Sequence, residues 1–139
     1  MTRAEIITTA RSYLGTPFHH QGRLKGAGLD CVGLVVCVLR DLGIEVKDSF
    51  DYNGVPDSVL LRDKLREHLA EIDPNSAKEG DIFLFRIGAN PQHLAFIANG
   101  NINDIIHTHQ GAGKVVETHI GEWWTRVMGA FAIPGVEDG

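Results

Sequence analysis

The sequence predicts an α+β fold, with the helices first and an antiparallel sheet after them. Up to Pro74, apolar residues fall at helical spacing behind capping signals. Beyond Pro74, short apolar runs alternate with glycine-containing turns. The chain has 139 residues and shows no repeat, linker or low-complexity tract, so residues 1–139 read as a single domain with enough length for a core.

The elements follow in order. Thr2 and Glu5 make a capping box that starts a first helix, and this helix runs to about Leu14 before Gly15 and Pro17 stop it. Residues 18–29, Phe-His-His-Gln-Gly-Arg-Leu-Lys-Gly-Ala-Gly-Leu, read as a glycine-rich loop. Asp30 is an N-cap for a second helix that ends near Gly43. Pro56 opens a third, with Leu60, Leu61, Leu65 and Leu69 near helical spacing. About five strands are expected after that. Asp81–Ile87 and His93–Ala98 flank a loop at Asn90-Pro91. Asp104–His109 and Lys114–His119 flank a turn at Gly111-Ala112-Gly113. Ala130–Ile133 comes last, behind a short helix around Trp123 and Trp124.

Composition narrows the function. A net charge of −5 argues against nucleic acid as partner, because duplex binding needs a basic face. No apolar run approaches a membrane span, and Met-Thr-Arg-Ala-Glu-Ile-Ile lacks the apolar core of a signal peptide, so neither is expected. Cys31 and Cys37 lie six apart on one predicted helix and point to different faces, so both are expected as reduced thiols.

The stretch Gly28-Leu-Asp-Cys-Val-Gly-Leu-Val-Val36 puts Cys31 directly after a helix cap. A helix N-terminus favours a thiolate, the reactive form, and Gly33 would leave room for a substrate backbone. A buried structural cysteine fits this segment equally well, since apolar surroundings make a thiol inert. Asp30 has two readings as well: a helix cap, or a carboxylate holding a substrate amine.

A nucleophilic cysteine needs a base, and the base needs an orienting partner. His93 is the best base candidate, because it opens the apolar run Leu94-Ala-Phe-Ile-Ala98 where packing gives a histidine no reason to be. His107, on the strand expected to pair with that of His93, could hold its tautomer. His109 lies two residues on and could do the same. His107 is favoured because Ile105-Ile106 leads it closer to the core. His19 and His20 could line a substrate cleft, His68 reads as a solvated helix position, and His119 as the polar end of a strand. Zinc on Cys31, His93, His107 and His109 ranks behind thiol chemistry: there is no Cys-x-x-Cys and no His-Glu-x-x-His, so no metal or other cofactor is expected.

Taken together, Asp30-Cys-Val-Gly-Leu-Val35, Gly80-Asp-Ile-Phe-Leu-Phe85, His93-Leu-Ala-Phe-Ile97 and Ile105-Ile-His107 resemble the NlpC-type papain-like cysteine peptidases, the NlpC/p-sixty family that cleaves peptide stems of bacterial cell wall. The resemblance spans Tyr13 to Gly135. It implies a papain-like fold, Cys31 as nucleophile, His93 as general base and His107 as orienting residue. Val32 stands where many relatives have serine, and Phe18 where many have a tyrosine that contacts substrate or oxyanion. Phe18, by this resemblance, and His20 and Asp30, by their positions beside Cys31, are the expected substrate contacts. Thr16-Pro-Phe-His-His-Gln-Gly-Arg23, Gly26-Ala-Gly-Leu-Asp-Cys31 and Lys114-Val-Val-Glu117 resemble more narrowly the branch encoded by tailed phages and prophages. That branch implies other tail proteins as partners and action from a tail or virion after synthesis in the cytoplasm. A non-catalytic tail protein keeping the fold, and an amidase or acyltransferase using the same cysteine and histidine, are the competing expectations.

Overall fold

A computed structural model describes residues 1–47, 58–87, 90–101 and 103–137. Helix α1, Arg3–Arg11, starts where Thr2 Oγ1 accepts the Glu5 N–H at 3.1 Å. It ends three residues earlier than the sequence suggests. The Ser12 N–H closes it on the Thr8 and Thr9 carbonyls, and Gly15 turns the chain away at φ +86°. Helix α2, Cys31–Asp41, is apolar on almost every side, with Leu34, Val35, Val38 and Leu39 all buried. Helix α3 is Ser58–His68, and its buried Leu61 and Leu65, with Leu69 just beyond, keep the expected four-residue spacing. The expected opening at Pro56 lies outside the described residues.

The glycine-rich loop is more ordered than its composition suggests. Arg23–Leu24 (β1) pairs antiparallel with Gly28–Leu29 (β2), a small hairpin lying across the start of α2.

The remaining strands are Ala70–Ile72 (β3), Ile82–Ile87 (β4), Asn90–Asn99 (β5), Asp104–His107 (β6), Val116–His119 (β7) and Val127–Ala132 (β8). They form one antiparallel sheet in the order β3-β8-β4-β5-β6-β7. The sheet has six strands rather than about five, because β3 is too short and polar to announce itself. Asn90-Pro91 belongs to β5 instead of a loop, with Pro91 opposite Arg86. The segment around the two tryptophans is a 3₁₀ helix, Gly121–Arg126.

Alternation along β4 and β5 gives the sheet two buried faces. Ile82, Leu84, Leu94, Phe96 and Ile106 pack with α1, α2 and α3. Phe83, Phe85, Ala95, Ile97 and Ile105 form a second cluster with Ile120 and Trp123. The Gly80-Asp81 motif anchors this frame. The Gly80 N–H bonds the Ile97 carbonyl, while the buried Asp81 carboxylate accepts Arg3 Nη1 at 2.9 Å and the Lys78 N–H. Among the described residues no helix is long and apolar enough to cross a membrane.

Candidate active site

Local sequence sets up the start of α2. Asp30 Oδ1 accepts the Gly33 N–H at 2.7 Å, satisfying one of the unpaired donors of the first turn. The same carboxylate accepts Arg23 Nη1 at 2.9 Å, and its Oδ2 accepts the Gln21 N–H at 2.9 Å. Asp30 is 5% exposed, and these contacts make it a cap for α2 and a clamp on the hairpin. Gly33 also differs from expectation. A Cβ there would lie 2.0 Å from the Gly22 carbonyl oxygen, so the space it vacates belongs to the protein's own loop and not to a substrate.

Cys31, 7% exposed, sits on the first residue of α2 and packs within the helix-side core. Its sulfur accepts the backbone N–H of Leu94, the neighbour of His93 in β5, and that of Val32. Burial pushes the thiol up to about 12; the Asp30 charge adds to this, and the two backbone donors and Arg23 only partly offset it. The dipole argument expected a lowered thiol, but desolvation outweighs it here. Cys37, mid-helix and also reduced, bonds the Arg23 carbonyl through Sγ at 3.3 Å and ties the hairpin down from beneath.

His93 stands opposite Phe85 in the β4–β5 register, and the pairing shifts immediately beyond, between Phe85 and Arg86. Such irregularities re-aim side chains. His93 is 1% exposed, with Trp123 stacked on its ring at 4.6 Å between centroids and the Phe85 ring at 5.6 Å. Its Nε2 lies 2.8 Å from His107 Nδ1. If His93 Nε2–H donates, the second nitrogen of His107 carries the other proton and donates to Thr118 Oγ1 at 3.3 Å. Thr118 lies diagonally across the β6–β7 pair, opposite Ile105. This chain leaves His93 Nδ1 as the basic nitrogen.

Desolvation lowers both imidazoles, with the neighbouring histidines adding to it: His93 falls well below its ordinary value and His107 to about 4. Both are therefore neutral at neutral pH. His109 is part of the same cluster, 5.2 Å from His107 and 5.7 Å from His93 between centroids, yet β6 ends at His107. His107, not His109, makes the hydrogen bond to His93.

The other candidates fall into place around this core. Half-buried Phe18 bridges to Leu29, and its N–H bonds the Gly113 carbonyl, holding the loop beside the start of α2. His19 is exposed and turns Nδ1 to the His20 carbonyl, while His20 is half-buried in the same loop. His119 pairs with Asp104 at 3.3 Å on the exposed sheet edge. His68 is no free surface position: its ring joins the Lys64 carbonyl to the Lys47 N–H. Among the described residues no group of three or more His, Cys, Asp or Glu side chains is set to hold a metal ion. Sequence reasoning missed Trp123, Thr118 and the Leu94 N–H, none of which carries a local signal of its role.

The model of the NlpC/P60 family matches residues 15–131. Solved structures give the same fold. The NlpC/p60 domain of the peptidoglycan hydrolase SagA aligns with a TM-score of 0.70 at 22% identity, covering 96% of this chain and 100% of that one. A Staphylococcus aureus protein described as similar to lipoprotein, of the NLP/P60 family, aligns at 0.69 and 20% identity over 98% of this chain. This chain spans only 42% of that protein's length. RipD from Mycobacterium tuberculosis, described as a non-catalytic NlpC/p60 domain protein adapted to peptidoglycan binding, aligns at 0.63 and 15% identity, covering 95% of this chain and 96% of its own. No curated protein sequence matches.

Proposed function

This chain belongs to the NlpC/P60 family, and on that premise we propose that it is a cysteine peptidase hydrolysing amide bonds in the stem peptides of bacterial peptidoglycan. The observation that carries the reading is the hydrogen-bonded pair of His93 and His107, directed by β5 to the residue whose neighbour, Leu94, touches the Cys31 sulfur. A buried neutral imidazole held by a second imidazole has no packing purpose, and it suits a base.

The mechanism follows from the protonation states. Cys31 Sγ attacks the amide carbon as its proton passes to His93 Nδ1, giving a tetrahedral oxyanion and an imidazolium. His93 returns that proton to the leaving nitrogen, the C–N bond breaks, and a thioester remains. Water then gives a proton to His93 and attacks the thioester; the acid leaves and Cys31 recovers its proton. His107 accepts from His93 Nε2–H throughout and spreads the transient positive charge.

A second reading, peptidoglycan binding without cleavage, draws on the depth at which Cys31 is buried and on a structural neighbour, RipD, that is described as non-catalytic. Release of new amino groups from purified peptidoglycan separates the two. Release by the wild type that disappears in Cys31→Ala establishes the peptidase, and binding to the wall with no release from either protein establishes the binder.

The proposal extends to a setting in a phage tail or virion, with other tail proteins as partners. Its support is the likeness of Thr16–Arg23, Gly26–Cys31 and Lys114–Glu117 to the phage-encoded branch. Tail particles purified from a producing strain and found free of this chain would remove that part.

A further inference from the structure

We infer that Arg23 makes this site indifferent to a free amino terminus: by occupying the Asp30 carboxylate it removes, among the described residues, the acid beside Cys31 that would anchor a free ammonium, so N-acylated stem peptide still embedded in wall polymer is taken as readily as a free-ended fragment. The inference rests on the peptidase reading above and concerns its substrate.

Asp30 precedes the proposed nucleophile and is the carboxylate placed to take an amine. Its carboxylate is engaged within the protein, with Gly33 N–H and Arg23 Nη1 on Oδ1 and Gln21 N–H on Oδ2. The ion pair is sheltered, its side chains 10% and 7% exposed. Arg23 Nη1 also donates to the Gly22 carbonyl at 2.9 Å, so the guanidinium is fixed to the loop as well as to the acid. The charges that act on the Cys31 sulfur are those of Asp30 and Arg23, with opposite effects. Four other described carboxylates are engaged elsewhere: Asp81 on Arg3, Glu117 on Arg11, Asp104 on His119 and Asp41 on Tyr13.

An ammonium reaching Asp30 would have to displace Arg23 from a buried pair and then sit beside the displaced cation. Breaking such a pair is strongly unfavourable. A neutral acylated nitrogen meets neither cost and makes no demand on Asp30.

The test compares a stem peptide bearing a free amino terminus with its N-acetylated twin, using kcat/KM for the wild-type protein. The expected ratio lies within about threefold of one; an ion pair to the ammonium would give about thirtyfold or more for the free amine. Any preference for the free amine beyond threefold overturns the inference. Arg23→Gln releases Asp30 and moves the ratio toward the free amine by about tenfold, one charge interaction gained at a partly buried carboxylate. A folded Arg23→Gln whose ratio does not move overturns the role given to Arg23, and if that variant does not fold the wild-type ratio decides. Should no bond be cut in either peptide or in whole wall, it is the peptidase reading that falls. Calorimetric binding of the two peptides then reads the preference: equal affinities uphold it, and tighter binding of the free amine overturns it.

Discussion

Replacing Gly33 by alanine tests whether the hairpin is seated on α2 as tightly as the geometry requires. The new Cβ would lie 2.0 Å from the Gly22 carbonyl oxygen, with Arg23 Nη1 at 3.1 Å and Asp30 Oδ1 at 3.2 Å. Real Cβ contacts essentially never fall below 3.0 Å, so backbone must retreat by at least 1 Å. The retreat pulls Gly22 away from α2 and loosens the Arg23–Asp30 pair and the Gln21 N–H bond to Asp30. Overpacking of this kind costs about 1–3 kcal/mol, and the lost pairing adds to it. Alanine recovers up to about 1 kcal/mol of helix propensity. The net expectation is a loss of about 1–3 kcal/mol, or a Tm about 4–12 °C lower for a domain of this size. Thermal unfolding followed by circular dichroism measures it, alongside iodoacetamide labelling of Cys31, which should speed up as the loop lifts. An unchanged or higher Tm with unchanged labelling would refute the close seating of the loop and the structural account of Gly33.

The resting thiol gives a second expectation. With Cys31 pushed up to about 12, its alkylation, mapped apart from Cys37 by mass spectrometry, should rise about tenfold per pH unit through pH 9. A plateau reached near pH 7 would show a preformed thiolate. The orienting role separates the two neighbouring histidines: His107→Gln should lower kcat on the order of a hundredfold, and His109→Gln by less than about tenfold. The reverse order in peptidoglycan assays would exchange their roles. The same burial affects stability. His107 is lowered to about 4, so between pH 6.5 and pH 4 the unfolded chain binds a proton that the folded protein refuses. Stability is therefore present above pH 6.5 and lost as pH falls toward 4, by about 3 kcal/mol for this residue. His93 acts in the same direction. Urea melts at pH 6.5 and pH 4.5 should show that loss shrink in His107→Gln, and an equal loss in both proteins would deny it.

Much of this was legible in the sequence because it rests on local rules. The Asp30 cap, the four-residue spacing of Leu61, Leu65 and Leu69, and the apolar runs of β4 and β5 follow from short-range patterns. Their order fixes the fold class. The pairing of His93 with His107 was legible for a related reason: antiparallel neighbours bring residues from adjacent strands together. What the sequence did not announce depends on tertiary approach. Gly33 looks open along the sequence and is filled by a carbonyl from eleven residues earlier. Asp30 looks available and is held by Arg23 across a hairpin that its glycines concealed. Trp123 gives no local hint that a 3₁₀ helix will lay it on the His93 ring.

These approaches share one electrostatic consequence. Around Cys31, charge is either paired, as in Arg23 with Asp30, or suppressed by burial, as in the thiol and the two imidazoles. On the peptidase reading, a thiolate–imidazolium pair is unfavourable at rest, and the proton leaves sulfur as the carbon–sulfur bond forms. Reactivity then depends on an acyl group being seated against the sulfur, not on an ionised cysteine waiting for one. A small electrophile that makes no other contact meets an inert thiol, whereas a wall peptide held in register meets a nucleophile whose base is already neutral and hydrogen-bonded. The burial that makes Cys31 look structural is, on this account, what confines its chemistry to a bound substrate.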